Sequence, residues 1–290
     1  MKIIYDNVAD WEKDFILKEL LPQFPVIFCN KNQIVSIEFY KNYQDIVGDN
    51  IFVFSSNDKV YQDIYKVVVY LKPKIIIHLS DEWHNKPVYN ELAKHTKLLL
   101  RQHYHENYPQ YPNIGYIPLG YIKNMLPDII STKLQLKIAR YRKYNWSFVG
   151  TIKTDRKKMI DTFRNIPQYY LPNKFVKPNE MAQIYMDSIF VPNGKGNVRL
   201  DCFRLYEASL CGAIPIVVGD TKEIENTFKY EENPPWIFAN NWDQAYQQCQ
   251  LLLKDKKKIE SIQKNIVKWW RERVKNIVNQ INKYLIENPS

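Results

Sequence analysis

Arg204 and Glu207 stand three residues apart in the stretch DCFRLYEASLCG, just after a loop that carries Gly194, Gly196, Lys195 and Arg199. On a helix that spacing puts a guanidinium and a carboxylate on one face. A cation for phosphate and an acid for sugar hydroxyls would suit a nucleotide-sugar. The same two residues also make an ordinary ion pair on an amphipathic helix. A glycine-bearing loop running into a helix N-terminus favours the first reading, because unpaired N–H groups and the helix dipole together attract anions. Upstream, Trp146 to Thr151 reads as a strand that turns at Gly150, with Arg156 in the first turn of the next helix. Gly150 would let a phosphate approach the backbone, and Arg156 would reach a pyrophosphate. A second reactive group lies earlier. Asp81, Glu82 and His84 follow directly on the apolar run IIIHL. Asp81 and Glu82 suit a helix cap.

The elements that must hold these groups alternate. Strand patterns fall at Ile3–Tyr5, Val26–Cys29, Ile51–Phe54, Ile75–Leu79, Lys97–Arg101 and Ile114–Pro118, with a further candidate at Gln33–Tyr40. Helical patterns fall at Asp10–Leu21, at Lys59–Leu71 after a capping cluster Ser55-Ser56-Asn57-Asp58, and near Pro87–His95. The pattern weakens between Pro127 and Lys143 and then restarts. Trp146–Thr151, Ser188–Pro192, Ile214–Val218 and Trp236–Phe238 read as strands, and Asp155–Asn165, Asn179–Asp187, Asp201–Cys211 and Trp242–Leu253 as helices. From Lys258 onward one long helix presents an apolar stripe through Ile259, Ile266, Trp270, Ile277 and Ile281. Strands alternating with helices argue for parallel βαβ units. We therefore expect two facing Rossmann-like domains, an acceptor-side domain over 1–130 and a nucleotide-sugar domain over 131–257. A helical tail is expected over 258–290, and the family resemblance given below implies that it packs back on the first. Five of the eight glycines fall in the second half at element ends, which points to a ligand site there.

Composition narrows the function classes. The chain has 290 residues and a net charge of +10. No window approaches the ~20 apolar residues needed to span a bilayer. The N-terminus turns acidic within its first residues, unlike a signal peptide, so a cytoplasmic protein is expected. Cys29, Cys202, Cys211 and Cys249 are scattered, as reduced core thiols would be. All five histidines lie between His78 and His105, without zinc-ligand spacing or a nearby cysteine. We expect no metal and no cofactor beyond the donor substrate. The positive charge fits anionic ligands. It admits an alternative reading, a protein that binds single-stranded nucleic acid through cations and aromatics. The lysines are dispersed, however, and no recognition motif is visible, so nucleic acid is not the expected partner.

Asp201-x-Phe-Arg204-x-x-Glu207-Ala followed by Gly212-x-Ile-Pro resembles the C-terminal domain of exostosin-like glycosyltransferases. His78-Leu-Ser-Asp81-Glu82, Leu100-Arg101-Gln-His-Tyr104, Ile117-Pro-Leu-Gly120-Tyr121 and Trp146-Ser-Phe-Val-Gly150 occur in matching order. The sequence is also similar to soluble viral and bacterial members and to ribitol xylosyltransferase-like proteins. The match spans about residues 75–220, and a membrane anchor like that of animal exostosins is not expected. The resemblance implies a GT-B fold, a UDP-sugar donor such as UDP-xylose, a glycan acceptor and inversion without a catalytic metal. It implies a base among Asp81, Glu82 and His84, with Asp81 preferred. Donor contacts would come from Gly150, Thr151, Arg156, Asn193, Gly194, Arg204 and Glu207. A catalytically silent sugar-nucleotide binder fits the same donor residues.

Overall fold

The computed structural model describes residues 1–55, 61–83, 85–153 and 155–286. The chain forms two compact units, Met1–Pro118 together with the chain from Lys275 onward, and Leu119–Val274. His84 and the Ser56-Asn57-Asp58 part of the capping cluster lie outside the described residues.

The first unit is built on β1 (Lys2–Asp6), β2 (Val26–Cys29), α1 (Ile37–Tyr40), β3 (Asn50–Ser55), α2 (Tyr61–Leu71), β4 (Ile75–Leu79), β5 (Leu98–Arg101) and β6 (Ile114–Tyr116). Its six strands pair in parallel in the order β2-β1-β3-β4-β5-β6. Every residue of β3, β4 and β5 is buried. That explains their unbroken apolar runs, since a parallel sheet is covered on both faces. Three expectations change. Gln33–Tyr40 is a 3-10 turn and a short helix rather than a strand. Ser36 decides this, because its hydroxyl accepts the Phe39 N–H at 3.2 Å and capping outweighs the β-branched run. The Asp10–Leu21 helix narrows to a π-helical segment, Phe15–Leu20. Pro87–His95 winds as 3-10 helix.

The second unit contains β7 (Tyr144–Ser147), α3 (Arg156–Phe163), β8 (Tyr169–Tyr170), α4 (Pro178–Met186), β9 (Ser188–Asn193) and α5 (Phe203–Leu210). It continues through β10 (Ile214–Val218), α6 (Thr221–Thr227), β11 (Ile237–Ala239), α7 (Trp242–Leu253) and the start of α8 (Lys256–Ile286). The strands are again parallel, in the order β11-β10-β9-β7-β8. Two elements were not expected: the two-residue β8, and α6, where Asp220 accepts the Glu223 N–H at 3.0 Å and caps the helix. The core gathers Trp146, Phe163, Phe190, Ile214, Ile216, Trp242 and Ile266. The stripe of α8 is buried at Ile259, Ile266, Trp269, Trp270, Val274, Ile277 and Ile281.

Both sheets share one topological feature. β1 lies between β2 and β3, and β7 lies between β8 and β9, so chain order reverses at β1/β3 and at β7/β9. In open α/β sheets ligands bind outside the carboxyl ends of the strands at such switch points. No described helix is long and apolar enough to cross a membrane.

Candidate functional site

The switch point of the second unit gathers the donor residues expected from sequence. β7 and β9 pair at Trp146–Phe190, so the turn at Gly150 and the loop at Asn193 leave the sheet side by side. α5 then delivers Arg204 to both. Its Nε donates to the Val149 carbonyl at 3.2 Å, and its Nη1 donates to Asn193 Oδ1 at 3.2 Å and to Cys202 Sγ at 3.5 Å. The guanidinium lies over the Phe148 ring, 4.6 Å from its centre. Gly150 has φ +154°, and a Cβ there would stand 2.6 Å from Arg204 Nη2. Glycine is therefore required twice over, by backbone angle and by the guanidinium against it. Arg204 is only 8% exposed, and its hydrogen bonds run to a carbonyl, an amide oxygen and a thiol. Among the described residues no carboxylate lies within ion-pair distance of it. A buried cation held by neutral groups costs several kcal/mol of lost hydration, and an anion arriving at the site offsets that cost.

Arg156 braces the same edge. Nη1 donates to the Thr151 carbonyl at 2.9 Å, and Nε and Nη2 donate to the Lys195 carbonyl at 3.1 and 2.6 Å. Its stem passes so close to Gly194 that a Cβ there would meet it at 2.5 Å. Arg156 thus ties the Gly150–Thr151 turn to the Gly194–Lys195 loop, and Phe148 stacks under both guanidiniums. Lys195 turns its ammonium to Glu223 at 2.8 Å.

Glu207, one turn beyond Arg204, is buried, and its Oε1 accepts the Ile122 N–H at 3.3 Å. Burial raises its pKa to about 7, with Arg204 and the Ile122 N–H pulling the other way. The Ile122 contact joins the Gly120-Tyr121 stretch to α5, a link that spacing in the sequence did not reveal. Phe148 and Cys202 were likewise not singled out. A ring next to a glycine turn that faces two arginines is the signal that would have found Phe148.

In the first unit Asp81 is enclosed. Its Oδ2 accepts from Arg101 Nη2 at 2.8 Å and from the Tyr108 hydroxyl at 3.1 Å, and its Oδ1 accepts the Asn85 N–H at 3.2 Å. Both members of the Asp81–Arg101 pair have fully buried side chains. Arg101 also donates to Asn90 Oδ1. A carboxylate so held spends its lone pairs on partners inside the fold. Glu82 next to it is half-buried. Of the two adjacent acids Glu82 is the more exposed. Asp81 and Ser80 adopt φ +113° and +66°, and His103 in the loop after β5 adopts +56°, a cluster of backbone strain of the kind found at functional sites. His78 is sealed between the Phe54 and Tyr89 rings, and burial pushes its pKa well below the ordinary imidazole value.

Glu12 was missed. It follows β1, is 7% exposed, and has its pKa raised by burial to about 7. Its neighbours in DWEKD drew attention only as evidence against a signal peptide. Its place just past the first strand of a parallel sheet is the signal that marks it.

These two parallel-sheet units with a helical tail are the architecture of the GT-B class, and solved structures agree with that fold along the whole chain. HepE of Anabaena, crystallised with UDP and glucose, is 14% identical with a TM-score of 0.56, over 98% of this chain and 99% of that one. BGT of T4 phage, crystallised with UDP-glucose, is 15% identical with a TM-score of 0.50, over 99% and 100%. The O-GlcNAc transferase of Thermobaculum terrenum is 8% identical with a TM-score of 0.52, over 98% of this chain and 66% of that one. No protein-family model and no curated protein matches the sequence.

Proposed function

We propose that the chain is a glycosyltransferase of exostosin-like type that draws on a UDP-sugar and transfers the sugar to a glycan hydroxyl with inversion. The observation that carries this reading is Arg204, a buried guanidinium whose hydrogen bonds go to neutral groups, set against Gly150 where β7 and β9 diverge. Preorganised charge of that kind stabilises a leaving diphosphate as it develops. Arg204, with Arg156 bracing the loop, takes the part that a cation plays in other transferases, and activity is expected to survive a chelator. Glu207 accepts from the ribose hydroxyls. Asn193 and Gly194 line the turn, with Thr151 opposite. The nucleotide follows from the UDP and UDP-glucose held by HepE and BGT. Among sugars the exostosin-like resemblance favours xylose.

The test is binding and turnover with pure protein. UDP-xylose, UDP-glucose, UDP-GlcNAc, a GDP-sugar and a dTDP-sugar are compared by thermal shift and by slow donor hydrolysis. A shift with the uridine donors and hydrolysis of at least one is expected. No response to any donor sinks the reading, and binding without turnover on any acceptor leaves a silent binder instead.

A further inference from the structure

We propose that the second unit carries a binding site apart from the donor turns, a cavity between the 134–142 segment and α8 that takes a small anionic amphiphile. Its ligand has an apolar body, one acidic group and one N–H or O–H donor. The proposal goes beyond the transferase reading and does not depend on it.

The stretch ahead of β7, where the sequence pattern weakens, supplies much of the lining. Leu134, Leu136 and Ile138 come from it, Val267 comes from α8, and Gly212 follows α5. The cavity measures about 420 Å³, within the usual range of small-molecule sites. At about 30 Å³ per heavy atom, the share of one water in the liquid, it has room for about fourteen. It lies at the opposite edge of the sheet from the donor turns. Arg142, in its lining, donates to the Ser188 carbonyl where β9 begins, and to the Cys211 carbonyl just ahead of β10. Gly150 and Asn193 stand at the other ends of β7 and β9.

The charge of the lining names an anion. Lys137, Arg142, Lys264, Lys268 and Arg271 face only two acids, Glu260 and Glu272. Neighbours account for part of this. Lys137 pairs with Asp187, Glu260 meets Arg140 at 3.5 Å, and Lys268 meets Glu272 at 3.8 Å. Arg142, Lys264 and Arg271 have no carboxylate within ion-pair distance among the described residues. Arg142 is the buried one, 9% exposed. Its Nε donates to the Lys137 carbonyl, its Nη1 to the Tyr185 and Ser188 carbonyls, and its Nη2 to the Cys211 carbonyl. One Nη2 N–H remains. A buried cation held by neutral groups is short of counter-charge, and an anion in the cavity supplies it.

Gln263 adds a second requirement. It lines the cavity and is 5% exposed. Its Nε2 donates to the Gly212 carbonyl at 2.9 Å, which fixes the amide, and its Oε1 is left without a partner. A buried acceptor left open is costly. A carboxylate has no proton to offer it, so the ligand needs an N–H or O–H beside its acid. The apolar lining in turn selects against a bare phosphate or a nucleic-acid backbone, which bind through cations alone.

The probe is N-octanoylglycine, held below its aggregation threshold and titrated into the full-length protein by calorimetry. One-to-one binding is expected. The methyl ester, which lacks the charge, should bind about tenfold more weakly. The N-methylated acid, which lacks the donor, should bind about fivefold more weakly, and Gln263→Leu should erase that difference. Lys264→Glu should weaken the acid about tenfold, and Val267→Trp should abolish binding by filling the cavity. Arg204→Met should bind the probe like wild type. Absence of binding by wild type overturns the site. So does full affinity in Val267→Trp, or loss of affinity in Arg204→Met, which would put the probe in the donor turns. Equal affinity for the acid, its ester and its N-methylated form overturns the ligand class. That comparison uses wild type alone, so it decides even where Gln263→Leu or Val267→Trp fails to fold. Displacement of the probe by a single-stranded oligonucleotide, or capture by anionic vesicles without response to the free probe, overturns the class in favour of nucleic acid or a membrane surface.

Discussion

The two units solve one architectural problem with opposite electrostatics. Each is a parallel sheet whose chain order reverses beside its first strand, and each carries a buried arginine near its carboxyl edge. In the first unit Arg101 is neutralised by Asp81 inside the fold. In the second, Arg204 is held by Val149, Asn193 and Cys202, none of them charged. Glycine content follows the difference. On the proposed reading, a strand end that admits a ligand needs Gly150 and Gly194, where a Cβ would meet Arg204 and Arg156. A strand end whose charge is already matched can use Ser80 and Asp81 and bear the strain. An internally paired cation is part of the fold, and an unpaired one is an invitation to an anion.

The contrast breaks most sharply at Asp81. Asp81→Asn leaves Arg101 buried without its counter-charge, which costs about 3–5 kcal/mol. A melting temperature lower by roughly 10 °C is expected at this size, with UDP binding by the surviving fold retained. A variant as stable as wild type would show that the Asp81–Arg101 pair is not a structural element.

Next in size is a pH effect. Glu207 has its pKa raised from 4.5 to about 7, chiefly by burial. Between those values the folded chain keeps a proton that the unfolded chain has lost. Stability is therefore full below pH 4.5 and falls as pH rises to 7, by about 3 kcal/mol. Glu207→Gln should flatten that slope in thermal melts. If the ribose hydroxyls bind the ionised carboxylate, UDP-glucose binding near pH 6.5 should release a proton, seen as a buffer-dependent calorimetric heat. Glu207→Gln should abolish that release and Glu12→Gln should leave it intact, because Glu12 belongs to the other unit. Equal loss in both would erase the distinction between the units.

Arg204→Met inverts the Asp81 result. No ion pair is broken, so stability should hold, while UDP affinity falls about 30- to 100-fold for the lost charged hydrogen bonds. Isothermal calorimetry reads the affinity and a melt reads the fold. A destabilised variant with normal affinity would place Arg204 with Arg101.

The sequence made most of this frame readable because the frame is made of short-range signals. Unbroken apolar runs marked β3, β4, β9 and β10, and glycines marked the strand ends. Two of the stretches that carried the family resemblance are contact partners, since His78 lies opposite Arg101 in register and Asp81 binds Arg101, and Ile122, the residue after a third, binds Glu207. Linear order could not show that Asp81 would be consumed by that pairing, since an enclosed acid and an available one look alike in a string. Glu12 is marked only by its place after β1, and no local pattern encodes its burial. β8 was too short for any periodicity, and α6 hung on one cap.

The smallest effect discriminates between two kinds of cation in the donor loop. Lys195 neighbours Gly194 and looks in sequence like a phosphate ligand. Its ammonium, however, meets Glu223 at 2.8 Å with both side chains partly in water, 40% and 26% exposed. Pairs of that kind contribute about 0–1 kcal/mol. What the loop needs from Lys195 is its carbonyl, which Arg156 grips twice, and any residue supplies a carbonyl. Lys195→Ala should therefore change UDP affinity less than about threefold and barely move the melt, whereas Arg156→Ala should weaken donor binding by releasing the loop. An affinity loss in Lys195→Ala as large as that in Arg204→Met would mean that Glu223 yields its partner to phosphate on binding. The donor site would then rest on an exchangeable surface cation as much as on the buried one.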